Sequence, residues 1–180
     1  MSEPSPTLGY LGDLRPAFVA NFALRLSDAI CAETQAHADR VGIRAPSRTH
    51  SPMLFLHRRG PTTLSEMART EGLSHQLLAS RLAPLEQLGL IERFDDLTDG
   101  RRKPYRLTRT GRADAKLIEA ATALEAEAMR RLFAEMDQDL IAILETAIEH
   151  LRVKPLGKRL AEVAAGRMVG APQMTEAADV

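Results

Sequence analysis

One cysteine, no excess charge of either sign and no apolar run long enough to cross a bilayer mark this chain of 180 residues, and each shortage excludes something. A lone thiol at Cys31 cannot close an internal disulfide, which suits a reducing cytoplasm. With 24 Lys+Arg against 24 Asp+Glu, attraction of a charged partner has to come from a local face. Met1-Ser2-Glu3-Pro4-Ser5-Pro6 lacks the basic and then apolar pattern of a secretory signal, so a cytoplasmic location away from membranes is expected. Catalytic signatures are missing too. There is no Gly-rich phosphate loop, no serine-nucleophile elbow and no paired His/Glu zinc motif, so neither enzymatic activity nor a cofactor is expected. Glu33 and His37 stand one helical turn apart, but zinc takes three or four protein ligands, and His50, His57, His75 and His150 show no ligand spacing. Cys31, between Ile30 and Ala32, reads as a packing residue, with a thiol sensor as the other reading.

What is present is concentrated between Thr62 and Thr108. Thr63-Leu64-Ser65-Glu66 fits a capping box, in which the threonine hydroxyl and the glutamate carboxylate satisfy each other's backbone N–H groups. Leu64, Met67 and Ala68 then share one face of a helix of about two turns, which Glu71-Gly72 ends. Leu73 follows as a buried plug, and Ser74 is a good N-cap for a second helix. Leu78, Leu82 and Leu85 form the inner face of that helix, and Gly89 closes it. Ser74, His75, Gln76, Ser80 and Arg81 fall on its other side, a small, hydrogen-bonding and non-acidic face suited to a major groove.

A hairpin follows. Leu90-Ile91-Glu92-Arg93-Phe94 and Tyr105-Arg106-Leu107-Thr108 favour strands and flank a loop from Asp95 to Pro104, longer than a simple reversal needs. Asp99-Gly100 supplies a turn at the tip. Glu92, Asp95, Asp96 and Asp99 make the outgoing arm acidic. Arg101, Arg102, Lys103, Arg106, Arg109 and Arg112 make the return basic. Asp99 is expected to orient Arg101 or Arg102 toward a phosphate or a minor groove. Helix, turn, helix and charged hairpin in this order is the layout of a winged helix-turn-helix that meets duplex DNA.

In these residues the chain resembles the multiple-antibiotic-resistance regulator (MarR) family of transcription factors. The resemblance rests on Leu64-Ser65-Glu66-Met67-Ala68, on Leu73-Ser74, on Leu85-Glu86-Gln87-Leu88-Gly89-Leu90-Ile91, and on Asp99-Gly100-Arg101-Arg102-Lys103 leading to Leu107-Thr108-Arg109-Thr110-Gly111. It implies a homodimeric regulator, a repressor relieved by a small-molecule effector, on a palindromic operator. The second helix, about 74–88, would lie in the major groove and the wing, about 95–104, at the minor groove. DNA contacts would fall to Ser74, His75, Gln76, Ser80, Arg81, Arg101, Arg102 and Lys103. Relatives often carry basic residues where this recognition helix has Ser80 and Pro84, which shifts weight onto the wing. The alternative is a winged-helix dimer that binds proteins or ligands with little sequence-specific readout.

The flanks read as helices with wide apolar faces. A first helix is expected from Leu14 to about Arg40, with Phe18, Phe22, Leu26 and Ile30 along one stripe and Pro16 in its first turn. A second starts after Ser47 or Ser51 and stops at Gly60-Pro61. Beyond Thr108 a long helix runs to about Met136, Asp137 opens another that breaks at Pro155, and a last one covers Leu156 to Ala165. Faces this wide are buried by pairing the first and last helices of two chains. The expected fold class is mainly α with a small β-hairpin. Its parts are a flexible N-terminus (1–12), an N-terminal dimerisation helix (13–46), a winged helix-turn-helix (47–111), C-terminal dimerisation helices (112–165) and a flexible tail (166–180).

Overall fold

The computed structural model describes residues 8–95 and 103–169, with side chains through 166. Its contacts divide the chain into a first unit ending at Glu127 and a second beginning at Ala128. The fold class is the expected one, helices with, among the described residues, a single two-stranded antiparallel hairpin. A 3₁₀ segment, Gly9–Phe18, leads into helices α1 (Val19–Val41), α2 (His50–Arg59), α3 (Leu64–Glu71) and α4 (His75–Gln87). Strands β1 (Ile91–Arg93) and β2 (Tyr105–Leu107) follow, and then helices α5 (Arg109–Met136), α6 (Leu140–Val153) and α7 (Leu156–Val169).

The expected helix from Leu14 starts later than its apolar spacing suggests. Gly12 leaves helical geometry at φ 49°, and Leu14 to Phe18 belong to the 3₁₀ segment, so α1 proper begins at Val19. Pro16 therefore sits in that segment and not in the first α-turn. It has no N–H to give an α-type ladder, and its carbonyl accepts from Val19 N–H in the tighter pattern. Asp139, and not Asp137, caps α6, accepting from the N–H groups of Ile141 and Ala142 at 3.1 Å each. The last helix continues past Ala165 to Val169. Residues 1–7 of the expected flexible N-terminus and 170–180 of the tail lie outside the described residues.

The first unit is built around the leucine spacing of α4. Leu78, Leu82 and Leu85 are fully buried with Met53 and Leu56 of α2, Met67 of α3, Leu90, Ile91, Tyr105 and Leu107 of the hairpin, and Ala115 and Ile118 of α5. Each large apolar side chain removed from water in this way contributes about 1.5–3 kcal/mol. Leu73, expected as a buried plug, packs on this cluster only half-buried. The hairpin is antiparallel with Ile91 opposite Leu107, Glu92 opposite Arg106 and Arg93 opposite Tyr105. Thr62 bridges the other side of Tyr105 by two backbone hydrogen bonds of 3.1 and 2.8 Å, so the chain just before α3 seats the hairpin against α2.

Two long-range ties lock α5 onto this unit. The Asp114 carboxylate, buried, accepts from the backbone N–H groups of Arg44 (3.2 and 3.1 Å) and Ala45 (2.9 Å), holding the link between α1 and α2. Thr108 caps α5 by accepting from Gly111 N–H at 3.0 Å, while its own hydroxyl donates to the Gly89 carbonyl at 2.7 Å. In the second unit α6 buries none of its residues, and Ile141, Ile143, Leu144, Ile148 and Leu151 are all exposed.

Candidate nucleic-acid interface

Local chemistry sets the helix pair. The capping box is formed as the sequence implied. Glu66 N–H donates to Thr63 Oγ1 at 3.3 Å, and Thr63 N–H donates to the Glu66 carboxylate at 3.2 Å. Gly72 ends α3 with φ 66°, a left-handed conformation that costs glycine nothing. Ser74 is the N-cap of α4, its Oγ accepting from Leu77 N–H at 3.1 Å. Pro84 lies inside α4, which runs unbroken to Gln87. Having no N–H, it leaves the Ser80 carbonyl without the usual donor four residues on.

Of the residues expected on the groove-facing side, Ser74, His75, Gln76 and Ser80 are exposed, and Arg81 is half-buried. Both hydroxyls are already engaged within the helix. Ser74 accepts from Leu77 N–H, and Ser80 Oγ donates to the Leu77 carbonyl at 2.7 Å. Ser74 therefore keeps a proton to donate outward, and Ser80 keeps lone pairs to accept. Leu77, between them, is exposed although apolar. The sequence reading passed over it. The available signal was its position one residue out of step with the buried Leu78, Leu82 and Leu85.

The hairpin's two arms neutralise each other at the base. Arg93 makes a two-point ion pair with Glu86 of α4 (3.0 and 3.3 Å) and stacks over the Tyr105 ring at 4.7 Å. Glu86 holds the Arg93 guanidinium above its ordinary value, and burial raises the Tyr105 phenol. Arg106 donates to Glu92 at 2.8 Å and stacks over Phe94 at 4.7 Å. Lys103, expected as a phosphate contact, is exposed and paired with Asp95. Arg101, Arg102 and their expected orienting partner Asp99 lie outside the described residues. The acidic outgoing arm thus has a structural use that alternation of charge along the sequence did not disclose.

Where α2, β2 and the start of α5 meet, a cavity of 260 Å³ is lined by Leu56, His57, Pro61, Arg106, Leu107 and Arg112. Arg112 donates to the Leu107 carbonyl at 2.9 Å, and His57 faces Glu119 at 3.6 Å. Cys31 is half-buried, and its carbonyl accepts from the Ser47 hydroxyl at 3.1 Å. Among the described residues no three His, Cys, Asp or Glu side chains are grouped to hold a metal ion, and no helix is long and apolar enough to cross a membrane.

Comparison with known proteins places this architecture. Three solved structures are similar across most of the chain. The transcriptional repressor CouR bound to a 23-mer DNA duplex is 22% identical with a TM-score of 0.58, over 82% of this chain and 99% of that one. Reduced AbfR bound to DNA is 24% identical with a TM-score of 0.55, over 77% and 95%. A probable transcriptional regulator from Pseudomonas aeruginosa is 24% identical with a TM-score of 0.51, over 73% and 95%. At these identities the likeness is one of fold. No curated protein sequence is significantly similar to the chain. Residues 50–103, from the start of α2 to the return arm of the hairpin, match the model of the MarR family.

Proposed function

We propose that this protein is a homodimeric, non-catalytic transcriptional regulator of the cytoplasm that binds a palindromic operator in duplex DNA. The observation that carries the reading is α4. It presents Ser74, His75, Gln76 and Ser80 outward from the start of a helix whose other face is locked into the core. A polar, non-acidic helix of this kind fits the major groove, and the adjacent hairpin reaches the next stretch of backbone. Ser74, His75, Gln76, Ser80 and Arg81 read the groove in this proposal. Arg101, Arg102 and Lys103 serve phosphate or minor-groove contacts, with Asp99 orienting the arginines. Two half-sites one turn apart require recognition helices separated by roughly 34–36 Å. A small effector that favours another spacing relieves repression, and the cavity beside Arg106 and Arg112 is where such a ligand would touch α2, β2 and α5 together.

A second reading has its own support. α4 has no lysine and its one arginine, Arg81, is half-buried, and the Ser80 proton is committed within the helix. That favours a winged-helix dimer for proteins or ligands with little base readout. Selection of genomic fragments by the purified protein separates the two. Recovery of one palindromic motif supports operator binding. Binding that is blind to sequence and lost at moderate salt supports the second reading.

A further inference from the structure

Leu77 is out of place on α4. It is 43% exposed, whereas Leu78, Leu82 and Leu85 of the same helix are at 0%. An aliphatic side chain on the first turn, amid polar neighbours, lies outside the core cluster and leaves much of its apolar surface open to solvent. Its peptide group also sets the chemistry of its neighbours. The Leu77 N–H occupies a lone pair of Ser74, and the Leu77 carbonyl takes the proton of Ser80. Ser80 therefore faces outward as an acceptor only, one helical turn beyond Leu77 and on the same side.

An apolar group beside a hydroxyl whose proton is already engaged matches one base pair in the major groove. The A·T pair offers the thymine C5 methyl together with the adenine N6 amine. A G·C pair offers an amine on cytosine and no methyl. We propose that Leu77 and Ser80 act as a pair that selects A·T, with the Leu77 methyls on the thymine methyl and Ser80 Oγ accepting from adenine N6. This rests on α4 being the helix that enters the major groove. It names residues and a base pair that a list of polar contacts leaves out.

The test uses the full chain and an operator obtained by selection, with each thymine replaced in turn by uracil so that only a methyl group is lost. The wild type should lose about fourfold in affinity at the contacted thymine, the transfer value of one methyl-sized group. Leu77→Ala should bind the thymine and uracil operators equally at that position while keeping the penalties found elsewhere. Ser80→Ala should lose preference for A·T over G·C at the same pair. Circular dichroism and thermal unfolding of both variants should match the wild type, because both side chains are exposed. A selected operator whose uracil profile is identical in the wild type and Leu77→Ala overturns this inference alone. Equal affinity of the wild type for the selected and a scrambled duplex overturns the groove reading and the inference with it.

Discussion

The first turn of α5 passes so close to the chain leaving α4 that only glycine fits. A Cβ on Gly111 would lie 1.8 Å from the Leu90 carbonyl oxygen and 2.8 Å from its carbonyl carbon, both backbone atoms that cannot swing aside. Gly111→Ala should therefore destabilise the fold by roughly 3 kcal/mol. The check is a lower denaturant midpoint at unchanged slope. His50 offers a test by pH. Burial pushes its imidazole below the ordinary value of 6.5, against the opposing pull of the Ala45 carbonyl and the charges of Glu125 and Asp114. The unfolded chain thus takes up the proton first. The stability that neutral His50 supports is present above 6.5 and is lost as pH falls through the lower, folded value. Melting temperature should drop on acidification from pH 7, and His50→Gln should flatten that part of the profile.

Among the elements, the helix pair was legible because its signals are short-range. Thr63 with Glu66, Gly72 and Ser74 each act within four residues, and the leucine period of α4 marks the buried face directly. Ties between distant segments were not legible. Asp114 reaches backbone N–H groups about 70 positions away, and nothing near it in sequence announces that role. Apolar spacing likewise ran from Leu14 through Pro16 into the start of α1, because periodicity records which residues share a face and not which backbone ladder they close. Asp114→Ala should cost about 3 kcal/mol, since it strips a charged acceptor from buried amides. Thermal unfolding of the variant would show this. The two elements proposed to face DNA should separate in binding. Arg101→Ala should weaken operator and unrelated duplex alike and reduce the slope of log affinity against log salt by about one. Gln76→Ala should cost about 1–3 kcal/mol on the operator with little change in that slope. If neither variant alters binding, both assignments fail.

At the scale of the whole molecule the apolar excess has to be covered. In the first unit Phe18, Val19, Leu24, Leu26 and Ile30 are exposed, and in the second Ile141, Leu144, Ile148, Leu151, Leu156 and Leu160. Exposed apolar surface mounting to a few hundred Å² marks an association surface. Light scattering at micromolar concentration should give a mass near twice the 19.8 kDa of one chain. A monomer mass would overturn the dimer.

The stacking of Arg93 on Tyr105 gives the protein an optical gauge of its own. The sequence has no tryptophan and two tyrosines. Tyr10 is 84% exposed, while Tyr105 is 3% exposed at the hairpin base, its peptide bonded to Thr62 and a guanidinium over its ring. Above the phenylalanine bands, the near-ultraviolet dichroism of the folded chain therefore comes chiefly from a single phenol held in a chiral setting. Any ligand that shifts the hairpin against α2 changes that signal without a label.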